Sequence, residues 1–320
     1  MYGIKDLKEK IKITETNVEC PIKGCNNKVE RQRKVFKCED RFFCREHNIY
    51  ISPSTFEYKY QKDNILFNED EEIRLLEKIY KSKRESRIKR DRSEDAVTWN
   101  VFRFLERNNL LESVFESILS IKLDSPEMIY WSHQKNKNVP FRDLIAARKL
   151  FDERMNRGSE PDIIIKTKTK LIFLEAKFTS GNCTSPSENS NLDSYETNAD
   201  NWFNKVFNSS IEDIAINEKK YELMRFWLIG TWIAIGLGLD FHLINLVRDT
   251  QEKNIVDNFS KHIKKNQNRN FCRMTWESIY NEIENKTIDE EDKNTILHYF
   301  KNKTLGFGNG KLKKAFSLKQ

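Results

Sequence analysis

The stretch from Glu160 to Lys177, EPDIIIKTKTKLIFLEAK, constrains this chain more than any other. Two apolar runs flank a polar turn, which reads as a hairpin over residues 161–177 with its turn near Thr167–Thr169. Side chains alternate across a strand, so Leu171, Phe173, Glu175 and Lys177 share one face and Ala176 points away. In an antiparallel pair about that turn, the numbers of facing residues add to about 336 or 337. Asp162 then stands opposite residue 174 or 175. Two carboxylates and an ammonium are thereby brought to one end of strands that otherwise require a core.

The remainder of the chain can supply that core. It has 320 residues, 38% of them apolar and 33% charged. That length suits one large domain with a smaller module, or two domains. Lys and Arg number 56 against 49 Asp and Glu, a net charge of +7 that is compatible with a polyanionic partner without establishing one. The start, MYGIKDLKEK, shows no apolar signal segment. The run FWLIGTWIAIGLGL, Phe226 to Leu239, has 14 residues and three glycines. A membrane span needs about 20 residues, so a buried helix is expected and no membrane. Six cysteines without a signal segment indicate metal ligands or free thiols and a cytoplasmic setting.

Along the chain, the charged stretch from Asp63 to Arg92 carries apolar Ile73, Leu75, Leu76, Ile79 and Tyr80, a helix that starts after an acidic turn. Its tail, Lys81 to Arg92, is strongly basic and reads as a solvated helix or as a surface that tracks phosphates. Ser93 is a fitting N-cap for a long helix that breaks near Asn108–Asn109. Glu127 to His133 reads as a strand. A polar loop runs from Thr179 to about Asn198, and loops of that length are usually mobile or functional. An apolar helix from about Glu218 to Gly236 follows. Asp240–Val247 and Asn270–Thr275 have strand character, and WESIYNEIE reads as a helix. This order predicts α/β packing around one mixed central sheet.

Clustered carboxylates repel unless a cation sits between them. Hard ions such as Mg²⁺ take oxygen ligands from one or two carboxylates and keep several waters. Such an ion beside a lysine suits hydrolysis of a phosphodiester. A charged end of a solvated hairpin fits the same residues. Pro161-Asp162 followed by Glu175-Ala176-Lys177 on the next strand resembles the PD-(D/E)xK nucleases, the restriction-endonuclease-like superfamily. The resemblance spans roughly residues 90 to 280 and implies an αβββαβ core flanked by helices. It further implies that Asp162 and Glu175 hold Mg²⁺, that the Ala176 carbonyl helps, and that Lys177 positions the attacking water. A carboxylate on the preceding helix often joins such sites. Glu94 is the residue chosen here for metal and catalysis, with Asp95 second. Tyr221, Glu222 and Arg225 lie one turn apart and read as facing DNA or metal, or as a helix start with an ordinary intrahelical ion pair. The second reading is preferred.

Near the N-terminus, Cys20 and Cys25 are spaced C-x4-C, and Cys44 and His47 follow eighteen residues later as C-x2-H. Two short-spaced pairs of thiol and imidazole suit tetrahedral Zn²⁺. Gly24 before the second cysteine resembles a zinc knuckle. Cys38 is the alternate fourth ligand, and four reduced thiols in a small core are the competing reading. Lys28, Arg31, Arg33, Lys34 and Lys37, with Phe36 among them, form a basic loop between the pairs that suits phosphates or bases as well as plain solvent. Cys183 and Cys272 have no partner at ligand spacing.

The expected organisation is a zinc-binding module over 1–62, a charged helical linker over 63–92, and a nuclease domain over 93–320 with a C-terminal extension. The expected function is a Mg²⁺-dependent DNA endonuclease with structural Zn²⁺, serving restriction, phage defence or repair on double-stranded DNA. By the same resemblance, double-strand cutting by one site per chain favours a homodimer. A zinc-dependent nucleic-acid-binding protein without catalysis, and an RNA-cutting enzyme of the same superfamily, are the alternatives. No G-x-x-x-x-G-K-[ST] loop is present.

Overall fold

The structure, a computed structural model, describes residues 7–83, 87–135, 139–154, 158–187 and 192–318. Its elements run β1 (Asn17–Glu19), β2 (Lys28–Glu30), β3 (Phe43–Cys44), β4 (Ile49–Ile51), β5 (Phe56–Tyr58), α1 (Asp70–Ser82), α2 (Glu94–Arg107) and α3 (Leu111–Leu119). There follow β6 (Glu127–Tyr130), β7 (His133–Gln134), β8 (Val139–Pro140), α4 (Arg142–Leu150), β9 (Ile163–Lys166), β10 (Lys170–Ala176), α5 (Asp193–Val206) and α6 (Tyr221–Leu237). The chain continues with β11 (Asp240–Val247), α7 (Ile255–Ser260), β12 (Arg269–Thr275), α8 (Trp276–Asn285), α9 (Glu290–Asn302), β13 (Thr304–Gly308) and β14 (Lys311–Lys314).

The chain divides into two compact units. One gathers residues 1–80, 85–110 and 276–320, and the other residues 81–84 and 111–275. This differs from the expected split after residue 62. The reason is visible in the first unit's core, where Phe307 and Leu312 of β13 and β14 pack against Cys20, Cys25, Cys44, Ile49 and Phe56. The backbone joins them too: Ile11 N–H donates to Gly310 O and Leu312 N–H to Glu9 O, both at 2.8 Å. The stretch expected as a linker holds α1. Buried Arg103 of α2 donates to Glu72 of α1 at 2.8 Å. Arg84, Glu85 and Ser86 of its basic tail lie outside the described residues.

The second unit is a mixed α/β layer. Its seven described strands run β12-β11-β10-β9-β6-β7-β8. The strands from β10 to β8 are antiparallel neighbours, whereas β10, β11 and β12 are parallel. Parallel neighbours need a crossover, and α6 supplies the one from β10 to β11. This helix is apolar on nearly every side, as the charge-free run predicts, and buries Phe226, Trp227, Leu228 and Ile229. Gly238 ends it at φ 68°, the left-handed conformation that glycine adopts without steric cost. No described helix is long and apolar enough to cross a membrane.

Register decides what lies on the face under α6. Residues Ile129, Ile164, Phe173, Leu243 and Phe271 form one apolar row across five strands. Phe241 stands beside this row, its ring 5.4 Å from Phe173 and 5.6 Å from Trp227 of α6. Two residues further along each strand, on the same face, the row turns polar.

Several local expectations hold. Ser93 accepts a hydrogen bond from Ala96 N–H and caps α2. Asn109, at φ 54°, separates α2 from α3. The expected loop over 179–198 is shorter than the spacing suggests, because α5 begins at Asp193. That helix is interrupted at Asn198–Asn201, where Ala199, Asp200 and Asn201 have positive φ. Residues 188–191 of the loop lie outside the described residues.

Candidate functional site

The hairpin β9–β10 pairs Leu171 with Lys166 and Leu174 with Ile163, the upper of the two expected registers. One step further, Asp162 stands opposite Glu175. Its carboxylate bridges two strands: Oδ2 accepts from Ala176 N–H at 2.9 Å, and Oδ1 accepts from the Trp131 indole at 2.8 Å. The Trp131 backbone N–H also donates to Asp162 O at 3.0 Å. Trp131 follows β6 with φ 43°, so the turn there is shaped to bring the indole back over Asp162.

Lys177 is the next residue of β10's polar face. Its Nζ lies 2.5 Å from Glu175 Oε1 and 2.8 Å from Glu222 Oε2. Asp162, Glu175 and Lys177 are each more than 90% buried. Burial first, and then the Asp162 and Glu222 charges, push the Glu175 carboxyl well above its usual range, against the pull of Lys177. Its Oε2 is buried and has no hydrogen-bond partner among the described residues.

Glu175 and Glu222 therefore flank one buried ammonium, with the Asp162 carboxylate close enough for its charge to act on Glu175. The sequence alone favours an intrahelical pair for Glu222, and the structure differs. Glu222 reaches Lys177, while Arg225 lies 3.7 Å from Glu153 and over the Tyr221 ring. The start of α6 is held by the polar loop: Thr184 Oγ1 accepts from Glu222 N–H at 2.9 Å, and Tyr221 N–H donates to Thr184 O at 3.2 Å. Glu94 and Asp95 belong to the other unit, in the first turn of α2. Glu222 is the acid that the structure brings to Lys177 beside Glu175.

The polar row continues past Glu175 to Asn245 and Arg273. Asn245 is fully buried and donates to Glu252 Oε2 at 2.8 Å, and Asn182 of the loop donates to Asn245 Oδ1 at 2.5 Å. Burial pushes Glu252 up, but hydrogen bonds from the two asparagines outweigh it and hold the carboxyl low. Arg273 instead donates to Asp249 O and Gln251 O, both at 2.8 Å. Neither asparagine is visible to a motif search, since Asn245 acts through the strand row and Asn182 reaches it from the loop, 63 residues away along the chain.

A separate cluster lies in the first unit. Cys20, Cys25, Cys44 and His47 are buried, and their ligand atoms all lie within 4.8 Å of one another. Cys44 Sγ is 3.7 Å from His47 Nδ1 and 3.9 Å from Cys25 Sγ, and Cys20 Sγ is 3.8 Å from His47 Nδ1. Zinc bonds of about 2.3 Å to sulfur and about 2.0 Å to nitrogen give tetrahedral edges of roughly 3.5–3.8 Å. The four residues thus form a cluster that can hold a metal ion such as zinc.

Local folding builds that cluster. Gly24, at φ 84°, turns the chain so that Cys25 N–H reaches Ile22 O at 3.1 Å. The second pair closes the same way, with His47 N–H 3.3 Å from Cys44 O. Asn27 Nδ2 donates to Cys44 Sγ at 3.7 Å. The Cys44 thiol is pulled down to about 4, chiefly because Cys20 donates a hydrogen bond to it; the same bond and burial push Cys20 up. A thiolate is therefore favoured at the centre. Cys38, the alternate ligand, is exposed and lies outside the cluster. No family model, curated protein or solved structure matches the chain.

Proposed function

We propose that the second unit is a metal-dependent endonuclease that hydrolyses phosphodiester bonds in DNA, of the PD-(D/E)xK type. The observation that carries this reading is the convergence of Asp162, Glu175 and Lys177 at one end of β9–β10, with Glu222 closing the group. The antiparallel run β6–β9–β10, the crossover α6 and the parallel strand β11 also match the αβββαβ order that the motif implies.

A hard divalent ion such as Mg²⁺ fits the residues present. The clustered carboxylates raise one another's proton affinity, a repulsion that a cation relieves, and the unpartnered Glu175 oxygen is a ligand atom that lacks a cation. Asp162 and Glu175 would hold it, with the Ala176 carbonyl beside them. Bound there, the ion would neutralise charge on the phosphoryl group and make water more acidic. Lys177 would hold the attacking water by a hydrogen bond from Nζ. Glu222 Oε2, 2.8 Å from that nitrogen, keeps the ammonium in place and can receive a proton from it. Once Glu222 has taken a proton from Lys177, the neutral amine would accept the water's proton as its oxygen attacks phosphorus; the bond from phosphorus to a deoxyribose oxygen would break, and that oxygen would leave with a proton from solvent. The burial around Lys177 strengthens each of these interactions.

The thiol–imidazole cluster would hold structural Zn²⁺, and its unit would contact DNA. Restriction or phage defence is the setting we infer, with a homodimer for double-strand cuts. Plasmid incubated with the protein and Mg²⁺ tests this. We expect cleavage that falls by ~100-fold or more in Asp162→Asn and in Lys177→Ala, each checked by melting. Cleavage that persists in both variants defeats the assignment. DNA that is retarded but never cut points to a nucleic-acid-binding protein, and cutting of RNA alone moves the substrate class.

A further inference from the structure

The first unit carries two clefts that share the Ser52–Thr55 turn between β4 and β5. One, of about 330 Å³, is lined by Lys34, Phe36, Arg90 and Arg92; the other, of about 760 Å³, by Lys10, Lys12 and Arg31. Six cations thus face the turn. Among the described residues, Glu57 is the one carboxylate in the combined lining, and it is paired with Arg90 at 2.8 Å.

The fold fixes the backbone that carries these cations. Gln32 is buried; its Nε2 donates to Ile51 O at 2.9 Å and its Oε1 accepts from Lys37 N–H at 2.6 Å, which fastens the basic loop to the end of β4. Ser52 Oγ accepts from Thr55 N–H at 2.9 Å and shapes the turn. Phe307 N–H donates to Ser54 O, where Gly306 passes so close that a Cβ would lie 2.8 Å from that oxygen. On the far side, residues 89–91 add to the edge of β5, with Tyr58 N–H to Lys89 O at 2.8 Å and Asp91 N–H to Phe56 O at 3.1 Å. Asp91 points inward to buried Lys303, at 3.5 Å, so its neighbours Arg90 and Arg92 point out along the cleft.

We propose that these two clefts form one track for the phosphodiester backbone of duplex DNA. A backbone fixed beneath the cations holds their spacing, which suits a ligand that presents phosphates at regular intervals. Phe36, half-buried beside Lys34, adds an aromatic edge within the same track. The choice of DNA over other polyanions rests on the nuclease reading, whereas the track itself rests only on this unit.

The test uses the full chain carrying Asp162→Asn and a short labelled duplex, without Mg²⁺, with affinity read by fluorescence anisotropy over a salt series. Lys34→Glu combined with Arg92→Glu is expected to weaken binding at least tenfold. It should also flatten the salt dependence by roughly 1.8, about 0.9 for each phosphate no longer neutralised. Lys34→Ala with Arg92→Ala guards against misfolding and should move both readouts the same way by less. Lys168→Glu, an exposed lysine of the other unit, should change neither. Unchanged affinity and slope in both track variants overturn the proposal, as does track-dependent binding of an RNA hairpin in place of the duplex. Cleavage by the wild type with unaltered binding in the variants removes the track and leaves the nuclease. Track-dependent binding without any cleavage does the reverse.

Discussion

At the scale of single residues, the Asp162–Glu175 pairing was legible because strand alternation and a short turn leave only two registers. Glu222 was less so. It comes from the start of α6, and a local reading pairs it with Arg225 when the structure pairs it with Lys177. Only the crossover brings it to β10. The raised carboxyl of Glu175 has a consequence for stability. A group whose folded value lies above its unfolded value contributes full stability below the unfolded value. That contribution is lost as pH rises toward the folded value. Metal-free protein should therefore lose stability as pH climbs above the ordinary carboxylate range. Glu175→Gln in chelator should raise the melting temperature at neutral pH by a few degrees and weaken the pH dependence. Adding Mg²⁺ should stabilise the wild type more than this variant. Calorimetry of both proteins across pH, with and without Mg²⁺, reads all three effects.

At the scale of elements, the apolar helix was readable from composition, but its seating was not. Gly230 sits where a Cβ would come within 2.1 Å of the Phe241 ring, so its absent side chain lets α6 approach β11. Gly236, on the same helix, has nothing within 4 Å of such a carbon and is exposed. One substitution thus takes opposite signs along one helix. Gly230→Ala should cost about 1–3 kcal/mol through overpacking, while Gly236→Ala should gain up to about 1 kcal/mol from helix propensity. Urea unfolding of the two variants checks the pair. The β13–β14 hairpin went unread although Asn309-Gly310 is a strong turn signal, since its flanking residues are mostly lysine and glycine, with only Leu305, Phe307 and Leu312 as large apolar side chains. The division of the 161–177 hairpin into β9 and β10 was legible because both runs are continuously apolar.

At the scale of the molecule, the thiol spacing located a cluster that can hold a metal but not the unit that supports it. Motif spacing reports neighbours along the chain, whereas Phe307 and Leu312 arrive from the far end of it. A chain truncated after Thr275 should therefore lose metal as surely as Cys20→Ser does. The full protein should carry about one zinc ion, and both altered proteins much less, by elemental analysis. The interleaving also sets a timetable. Synthesis delivers residues 111–275 as one uninterrupted length, so the sheet can assemble while the ribosome is still at work. The unit that holds the Cys20–His47 cluster has to wait for Trp276 onward to emerge, so it matures after the sheet.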